Sequence, residues 1–275
     1  MIYTLTMNPA LDYITTVPEL KRGAVNRSGS GEFRAAGKGV NVSLALKRLG
    51  VESVAVCVCG QGFLTDEFTR LIHEQELTSV QITSAGCDIR LNVKLNQNDS
   101  VTEINGLFFV NEHTVSFVWA HLSELKQGDI LAVCGSLPNG VPAGFYAEIT
   151  AKLSERGVKV IVDTSGEPLR EVVKSGKAWM ITPNRHELDE LEKSGVKIKP
   201  GNPNVLATFG EEGVTLTTSE FVHSLRPKKI LNGYTVGAGD NLLAGLIAEF
   251  IESQDYKKAL FAGVDCAENY IENQS

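Results

Sequence analysis

The strongest constraint on the fold of this 275-residue chain is the regular alternation of short apolar runs with amphipathic helical patterns. The strand-like "SVAVCVCG" precedes the helical pattern "TDEFTRLIHEQEL", and the later runs "DILAVCGS", "KVIVDTSG" and "AWMITPN" are also separated by helical patterns. Strands that alternate with helices favour a mostly parallel sheet with helices on both faces. The sequence therefore predicts an α/β fold, a three-layer sandwich around a central sheet.

Two segments, at about residues 12–35 and 87–110, break this alternation and carry the period-two pattern of β-strands. In "RLNVKL", Arg90, Asn92 and Lys94 face one way, and the apolar residues that alternate with them face the other. A sheet with one polar and one apolar face is suited to cover a cleft as a lid, although an ordinary solvent-facing edge sheet has the same pattern. Because no linker or repeat interrupts the chain, we expect residues 1–275 to form one domain with this lid.

Composition and charge exclude several classes of function. The net charge is −7 and the chain has no basic tract, so nucleic acid is not an expected partner. The first residues lack the basic region of a signal peptide, and no apolar segment has membrane-spanning length, so we expect a cytoplasmic protein without a membrane partner. Most of the five cysteines lie in apolar runs and are predicted to be free, buried thiols.

A glycine-rich turn, Gly237-Ala238-Gly239, stands directly before Asp240 and a long apolar run, "LLAGLIAEFI". Free backbone N–H groups and the helix dipole make such a turn suitable for binding an anion. A carboxylate beside an anion site suggests phosphate chemistry with a base close at hand. The alternative is that Asp240 only caps the helix.

A second glycine-rich turn, in "RAAGKGVNVSLALKRLG", also leads into a helical pattern. It is not a P-loop, because five residues separate Gly31 from Gly37 and Lys38 is followed by Gly39. Backbone N–H groups and an ammonium group suit an anion or a polyol, whereas a flexible turn with a solvated lysine is the alternative. The first strand is not followed by G-x-G-x-x-G, which argues against a dinucleotide-dependent oxidoreductase.

These two turns, "GKGVNVSLALKRLG" and "TVGAGDNLLAG", resemble the two signature segments of the ribokinase-like (PfkB) sugar kinase family. The resemblance extends over nearly the whole chain, because "TMNPALDY", "GSLPNGVP", "PNRHEL" and "FGEEGV" follow in the family's order. It implies the ribokinase-like α/β fold with a small β lid. "NPALD", "RLNVKL" and "TEIN" are most similar to the branch that phosphorylates sugar phosphates.

The resemblance implies an ATP- and Mg²⁺-dependent phosphotransferase. Asp240 matches the family's base, and the Gly237–Gly239 turn matches its anion hole. Asn184 and Glu187 match an N-x-x-E element near the ATP phosphates, in which Glu187 supports the metal. An ordinary first-turn helix acid is the alternative for Glu187.

Further nucleotide contacts are implied for a turn near the end of the chain. Thr208, Gly210 and Gly213 match a turn beside the nucleotide in this family.

On the sugar side, Asp12, Gly37 and Asn41 match groups that hydrogen-bond sugar hydroxyls. Lys38 and Arg90 suit a phosphate that the substrate already carries, Arg90 through its bidentate guanidinium.

Four other residues are expected on the same side. Lys94 either adds charge for the phosphate or is solvated on the lid, and Glu103 and Asn105 are expected to close the lid over the sugar. Ser136 follows an apolar run, where open α/β sheets bind ligands, although a simple turn serine fits equally well.

The chain departs from the family pattern on the nucleotide side. Thr182 stands where a lysine is usual in this branch, and the segment between Glu187 and Thr208 is short. The expected reaction is phosphorylation of fructose 1-phosphate to fructose 1,6-bisphosphate. Tagatose 6-phosphate as substrate, or a sugar-phosphate-binding homologue with weakened ATP use, are the alternatives. A homodimer through the lid is expected.

Overall fold

The computed structural model describes residues 1–97, 100–199, 201–227 and 236–273, which form thirteen strands and eight α-helices. The strands are β1 (Ile2–Thr6), β2 (Ala10–Thr16), β3 (Gly31–Ala36), β4 (Val54–Cys59), β5 (Ser79–Thr83), β6 (Arg90–Gln97), β7 (Ser100–Asn105), β8 (Ile130–Cys134), β9 (Lys159–Asp163), β10 (Met180–Ile181), β11 (Asn204–Thr208), β12 (Val214–Thr217) and β13 (Val222–Leu225). The helices are α1 (Lys38–Arg48), α2 (Phe63–Glu74), α3 (Glu112–Leu122), α4 (Phe145–Ser154), α5 (Gly166–Ser175), α6 (Arg185–Lys193), α7 (Ala238–Ser253) and α8 (Tyr256–Glu272).

A nine-stranded sheet in the order β13-β12-β11-β10-β9-β8-β1-β4-β5 forms the centre of the molecule. All neighbours from β11 to β5 are parallel, and only the pairings of β12 with β11 and β13 are antiparallel. Parallel strands are buried on both faces, which explains why a central strand such as Ile130–Cys134 is apolar at every position. The predicted α/β fold with a mostly parallel sheet is confirmed.

Apolar side chains pack on both sides of this sheet. Leu131 and Val133 point into the larger core, which is covered by helices α2 to α6, whereas Ile130, Ala132 and Cys134 point into a second core beneath α1, α7 and α8. This alternation follows from the two-residue period of a strand. The result is the three-layer sandwich that the sequence predicts.

A smaller sheet in the order β3-β2-β6-β7 accounts for the two segments that break the strand-helix alternation. Strand β2 pairs in parallel with β6 and antiparallel with β3, and β6 pairs antiparallel with β7. The register sets Asp12 beside Asn92, and Tyr13 beside Val93. One face of the sheet is therefore polar and the other largely apolar, and the polar face covers the cavity described below.

Three of the five cysteines (Cys57, Cys59 and Cys134) are buried in the central sheet as free thiols, as predicted. Cys87 and Cys266 are also free but only partly buried. Among the described residues, no helix combines the length and the apolar character needed to cross a membrane.

Helices α7 and α8 approach each other closely because a glycine on each lies against the backbone of the other. A Cβ built on Gly245 would lie 2.7 Å from the Ala262 carbonyl oxygen, and one on Gly263 would lie 2.6 Å from that of Leu242. Neither backbone can yield without parting the helices, so these positions require glycine. The start of α7 is thereby fixed against α8.

We predict that Gly263→Ala destabilises the protein by roughly 1–3 kcal/mol through overpacking, despite the better helix propensity of alanine. Urea unfolding followed by circular dichroism measures the change. Gly144→Ala is the matched control, because a Cβ there meets no atom within 4 Å and the backbone is already right-handed helical. If the two variants unfold at the same urea concentration, close helix packing at Gly263 is not required.

Candidate active site

A cavity of about 340 Å³ lies between the lid and the carboxyl ends of the parallel strands. In open α/β sheets ligands bind at this edge, because the loops after the strands meet there. The cavity wall combines the polar face of the lid, the glycine turn before α1, the ends of β9 and β11, and the start of α7. Of the residues that the sequence identified, the cavity lining includes Asp12, Gly37, Lys38, Asn41, Arg90, Lys94, Asn184, Glu187, Thr208, Gly237, Gly239 and Asp240.

The glycine turn before α7 is held by contacts from two other helices. Gly237 has a left-handed φ of 91°, and a Cβ there would lie 2.8 Å from the Tyr270 hydroxyl oxygen. Asn241 Nδ2 donates to the Gly237 carbonyl oxygen at 2.8 Å, while Arg48 donates to Asn241 Oδ1 at 3.0 Å. These contacts fix the backbone N–H groups of the turn at the amino end of a sixteen-residue helix.

Asp240 is the third residue of α7 and does not cap it. The N-cap is Gly237, and no side chain accepts a capping hydrogen bond there. The interpretation of Asp240 as a simple cap is therefore wrong. Ala238 begins the helix, and the position of a Cβ on Gly239 has no atom within 4 Å. Thr235, the first residue of the segment "TVGAGDNLLAG", lies outside the described residues.

The carboxyl group of Asp240 is buried, with only 6% of the residue exposed. Asn41 Nδ2 donates to Asp240 Oδ2 at 2.8 Å. Burial and the negative charge of Asp163 raise the pKa of Asp240 to about 7, although the Asn41 hydrogen bond and the charges of Lys38 and Lys94 act in the opposite direction. A carboxyl group that titrates near neutrality can accept a proton in one step and release it in another.

The turn before α1 brings a lysine to the opposite wall of the cavity. Gly37 and Gly39 lie so close to Thr6 of β1 that a Cβ on either would be 2.7 Å or less from the threonine side chain. Lys38 Nζ forms an ion pair with Asp163 Oδ1 at 2.8 Å. Burial lowers the pKa of Lys38, but the charge and hydrogen bond of Asp163 outweigh it, so the pKa lies above its ordinary value. Lys38 therefore stays charged.

The lid contributes a hydrogen-bonded polar cluster around Asp12. Its carboxylate is buried and accepts from Asn92 Nδ2 at 2.8 Å through Oδ1, while Lys94 Nζ lies 2.8 Å from Oδ2. Lys94 is thus a partner of Asp12 and is not solvated on the lid surface. Glu103 lies opposite Lys94 at 4.0 Å, and Asn105 opposite Asn92, but both belong to the exposed strand β7 and neither lines the cavity.

Arg90 and Ser136 are linked through Asn8. Arg90 donates to the Asn8 carbonyl oxygen at 3.1 Å, and Asn8 Nδ2 donates to Ser136 Oγ at 3.0 Å. Ser136 follows β8, as expected for a residue at the carboxyl end of a strand, but the cavity lining does not include it. Burial lowers the pKa of Arg90, although the charge of Asp12 acts in the opposite direction. An arginine guanidinium stays charged in proteins.

Asn184 and Glu187 form a capping box at the start of α6. Asn184 Oδ1 accepts from the Glu187 N–H at 2.9 Å, and Glu187 Oε2 accepts from the Asn184 N–H at 2.8 Å. Both residues therefore cap the start of α6, and both also line the cavity. Burial, followed by the charge of Asp163, raises the pKa of Glu187 even though Asn184 and Lys38 lower it.

The remaining nucleotide-side residues divide into two groups. Thr182 and Thr208 line the cavity, and Thr182 Oγ1 is buried without a hydrogen-bond partner. Gly210 begins the short helical turn between β11 and β12 and Gly213 directly follows it, and neither residue is part of the cavity lining. Among the described residues between β10 and β11, α6 is the only α-helix, which accounts for the short segment noted in the sequence.

Sequence reasoning missed three site residues. Asp163 ends the buried strand β9, and this position was the available signal, because strand ends meet at the cavity. Asn92 was recognised on the polar face of the lid but not as a member of the site. Asn8 lies in the segment "TMNPALDY" but was not singled out, since its contacts with Arg90 and Ser136 join distant parts of the chain.

Comparison with known proteins agrees with this arrangement. The family model described as "pfkB family carbohydrate kinase" matches residues 3–275. The 1-phosphofructokinase of Bacillus subtilis (strain 168) is 32% identical over 279 residues, which cover 96% of this chain and 90% of that protein. The 1-phosphofructokinase of Escherichia coli (strain K12) is 32% identical over 266 residues, covering 90% and 83%. The crystal structure of phosphofructokinase-2 from Escherichia coli in complex with potassium matches the fold with a TM-score of 0.89 at 23% identity, covering 100% of this chain and 93% of that one.

We predict that Asp240→Asn becomes more stable relative to the wild-type protein as the pH rises. The folded carboxyl has a raised pKa, so the wild-type protein loses stability as the pH rises from about 4, where the unfolded carboxyl ionises, to about 7. The amide does not titrate and avoids this loss. Chemical denaturation should therefore show an advantage of Asp240→Asn that is larger at pH 8 than at pH 5 by roughly 1–3 kcal/mol.

Asp189→Asn on the exposed side of α6 is the control for a generic loss of negative charge. Its stability difference from the wild-type protein is expected to be the same at both pH values. A pH-independent difference for Asp240→Asn as well would show that the buried carboxyl is not destabilised by ionisation.

Proposed function

The chain belongs to the pfkB family of carbohydrate kinases, and from its cavity we propose that it phosphorylates a hexose phosphate with ATP, converting fructose 1-phosphate to fructose 1,6-bisphosphate. The observation that carries this proposal is the buried Asp240, with a pKa of about 7, beside a glycine turn and in one cavity with Lys38 and Arg90. A base, an anion site and two cations are the groups that phosphoryl transfer to a phosphorylated sugar requires.

Asp240 acts as the general base in this proposal. The oxygen of the acceptor hydroxyl forms a bond to the γ-phosphorus of ATP while the bond from that phosphorus to the bridging oxygen breaks and ADP leaves. The proton of the hydroxyl passes to the Asp240 carboxylate. The hydrogen bond from Asn41 orients this carboxylate and lowers its pKa, which favours the ionised form that can accept the proton.

The turn from Gly237 to Gly239 holds the transferring phosphoryl group. Its backbone N–H groups are fixed by Asn241 and Arg48 before the reaction, so they need no reorganisation as charge develops. A Cβ on Gly239 would meet no protein atom within 4 Å, which leaves room for a phosphate close to the backbone.

The sugar phosphate lies under the lid in this proposal. Asp12, Asn41 and the Gly37 backbone bind its hydroxyls, and Arg90 binds the phosphate already present, with Ser136 held nearby through Asn8. Lys38, which is paired with Asp163, supplies a second positive charge for this phosphate. Lys94 lines the cavity, whereas Glu103 and Asn105 act through strand β7 of the lid without lining it.

The nucleotide lies on the side of β10 and β11. Asn184, Glu187 and Thr208 line this part of the cavity, and Gly210 and Gly213 shape the neighbouring turn. Their fit to ATP is supported by the position of Thr208 and Thr182 together in the cavity lining.

Glu187 fits a Mg²⁺ ion that accompanies ATP. Its buried carboxyl has a raised pKa partly because Asp163 lies near it, and a cation would favour the ionised form of this carboxyl. The described residues contain no group of three or more metal-binding side chains. This agrees with the usual behaviour of Mg²⁺, which takes one or two carboxylates and completes its shell with water and substrate phosphates. When bound, the ion neutralises charge on the ATP phosphates.

A homodimer through the lid completes the proposal. The lid face opposite the cavity carries Tyr13 and Phe33, whose ring centroids are 5.1 Å apart, and Ile104, which is 59% exposed beside Val93. Two copies that pack these faces together would bury the same apolar surface twice, as a two-fold interface requires.

We predict that Asp240→Asn lowers kcat for fructose 1-phosphate by about 10²–10⁴-fold and leaves binding of the sugar phosphate nearly unchanged. A coupled assay of ADP release measures turnover, and calorimetry measures binding. Asp189→Asn is the control and should retain full activity.

Wild-type turnover of tagatose 6-phosphate in preference to fructose 1-phosphate would change the assigned substrate, whereas binding without turnover of either would indicate a sugar-phosphate-binding protein. Unchanged kcat in Asp240→Asn would contradict the mechanism.

We predict that Ile104→Asp shifts the protein from dimer to monomer, because it introduces a charge into the apolar lid face. Sedimentation velocity measures the change. Val101→Asp lies on the same strand but on the opposite face, so it should leave the dimer intact. A wild-type protein that sediments as a monomer at micromolar concentration would refute the lid dimer.

A further inference from the structure

An arginine and a glutamate form an ion pair at the edge of the cavity, on the side where β10 and β11 end. Arg185 is the first residue of α6 and directly follows Asn184, which lines the cavity. Its Nη2 atom lies 2.6 Å from Glu212 Oε2. Neither member of the pair belongs to the cavity lining, so the pair is not part of the site described above.

The backbone brings this pair to the edge of the proposed nucleotide site. Asn184 and Thr208, which both line the cavity, form an isolated parallel bridge just beyond β10. The next residues along the chain are Arg185 and Phe209, and Arg185 Cζ lies 4.8 Å from the centroid of the Phe209 ring. Glu212 ends the short helical turn that follows this phenylalanine. The guanidinium group therefore lies over the turn after β11, at the edge of the sheet where the cavity opens.

The two contacts of Arg185 differ in what they leave available. The Phe209 ring attracts the cation through its face, and this attraction persists when another partner leaves. The ion pair is exposed, since the side chains of Arg185 and Glu212 are 53% and 72% accessible. Exposed pairs of this kind contribute little to stability. A more highly charged anion can thus displace Glu212 at small cost, while Phe209 retains the guanidinium group.

A triphosphate on this side of the cavity would lie close to carboxylates. Among the described lining residues, the cations Lys38, Arg90 and Lys94 come from the α1 turn and the lid. The described lining from β9 to the start of α6 contributes Asp163 and Glu187, which are acidic. A guanidinium group at this edge would offset that charge, and its planar fork suits the oxygens of a phosphate.

We propose that Arg185 binds a phosphate group of ATP, and that Glu212 occupies its guanidinium group until the nucleotide displaces it. The inference rests on the proposed function, and it gives the nucleotide site a binding residue together with an internal competitor. Only ion-pair partners are exchanged, and no covalent bond changes. The competitor makes the affinity for ATP lower than the free guanidinium group would allow.

The competing explanation is an ordinary surface ion pair that holds the turn after β11 in shape. In that case Arg185 and Glu212 are equivalent, and removal of either one would affect ATP in the same direction. An exchange of partners instead predicts opposite directions, because loss of Arg185 removes the phosphate contact and loss of Glu212 removes the competitor. The sign of the change is therefore the quantity to measure.

The experiment compares the KM for ATP and the affinity for ATP in the wild-type enzyme, Arg185→Gln and Glu212→Gln. The coupled assay of ADP release, at saturating fructose 1-phosphate and Mg²⁺, gives the KM, and calorimetry without sugar gives the affinity. We expect Arg185→Gln to raise the KM for ATP by about 10-fold, and Glu212→Gln to lower it by roughly 2- to 5-fold. The dissociation constants should change in the same directions, while the KM for the sugar phosphate stays unchanged.

Two exposed residues supply matched controls for the change in charge. Lys193→Gln removes a positive charge from the last turn of α6, and Glu211→Gln removes the acid next to Glu212 in the same short turn. Both should change the KM for ATP less than the variants of the pair. Arg185→Lys keeps the charge without the planar fork and should recover part of the affinity that Arg185→Gln loses.

A weaker affinity for ATP in both Arg185→Gln and Glu212→Gln would overturn the inference and leave the pair with a structural role alone. An unchanged KM for ATP in Arg185→Gln, with normal turnover by the wild-type enzyme, would overturn it as well. Absence of both ATP binding and turnover in the folded wild-type protein would instead refute the proposed function, and the inference with it.

Discussion

The parallel pairing of the strands from β11 to β5 is the constraint on which the rest of the structure depends. Each parallel connection needs a crossover, and the crossover helices cover both faces of the sheet. All carboxyl ends then lie at one edge. Thr6, Asp163 and Thr208, which are far apart in the sequence, are thereby brought to the same side of the molecule.

The candidate site contains ionisable side chains that are buried, and burial disfavours their charged forms. Asp240 is almost fully buried, and its ionised form is opposed by burial and by Asp163. Hydrogen bonding by Asn41 and the charge of Lys38 offset only part of this cost. A carboxyl held near its titration point is less favourable for stability than a neutral side chain, but it is suited to proton transfer. Burial also opposes the charge of Lys38, but its close partner Asp163 outweighs burial, so Lys38 remains charged.

The lid shows how one strand pattern serves two purposes. Arg90, Asn92 and Lys94 of β6 line the cavity, and the apolar residues that alternate with them form the opposite face. Because the side-chain period of a strand is two, a shift of one residue in the pairing of β2 with β6 would exchange these faces. The pairing of Asp12 with Asn92 and Lys94 fixes the register from the cavity side.

The sequence by itself determined the α/β class, the two lid segments and the glycine turns at Gly37 and Gly237, because periodicity and glycine placement are local properties. It also made Asp240 a candidate for the site, since the residue stands directly after its turn. Only the tertiary structure decided which side chains meet. The pairing of Lys38 with Asp163, the link from Arg90 through Asn8 to Ser136, and the hydrogen bond from Asn92 to Asp12 all join segments distant in the chain. Their contacts depend on sheet order and register, which no local pattern specifies.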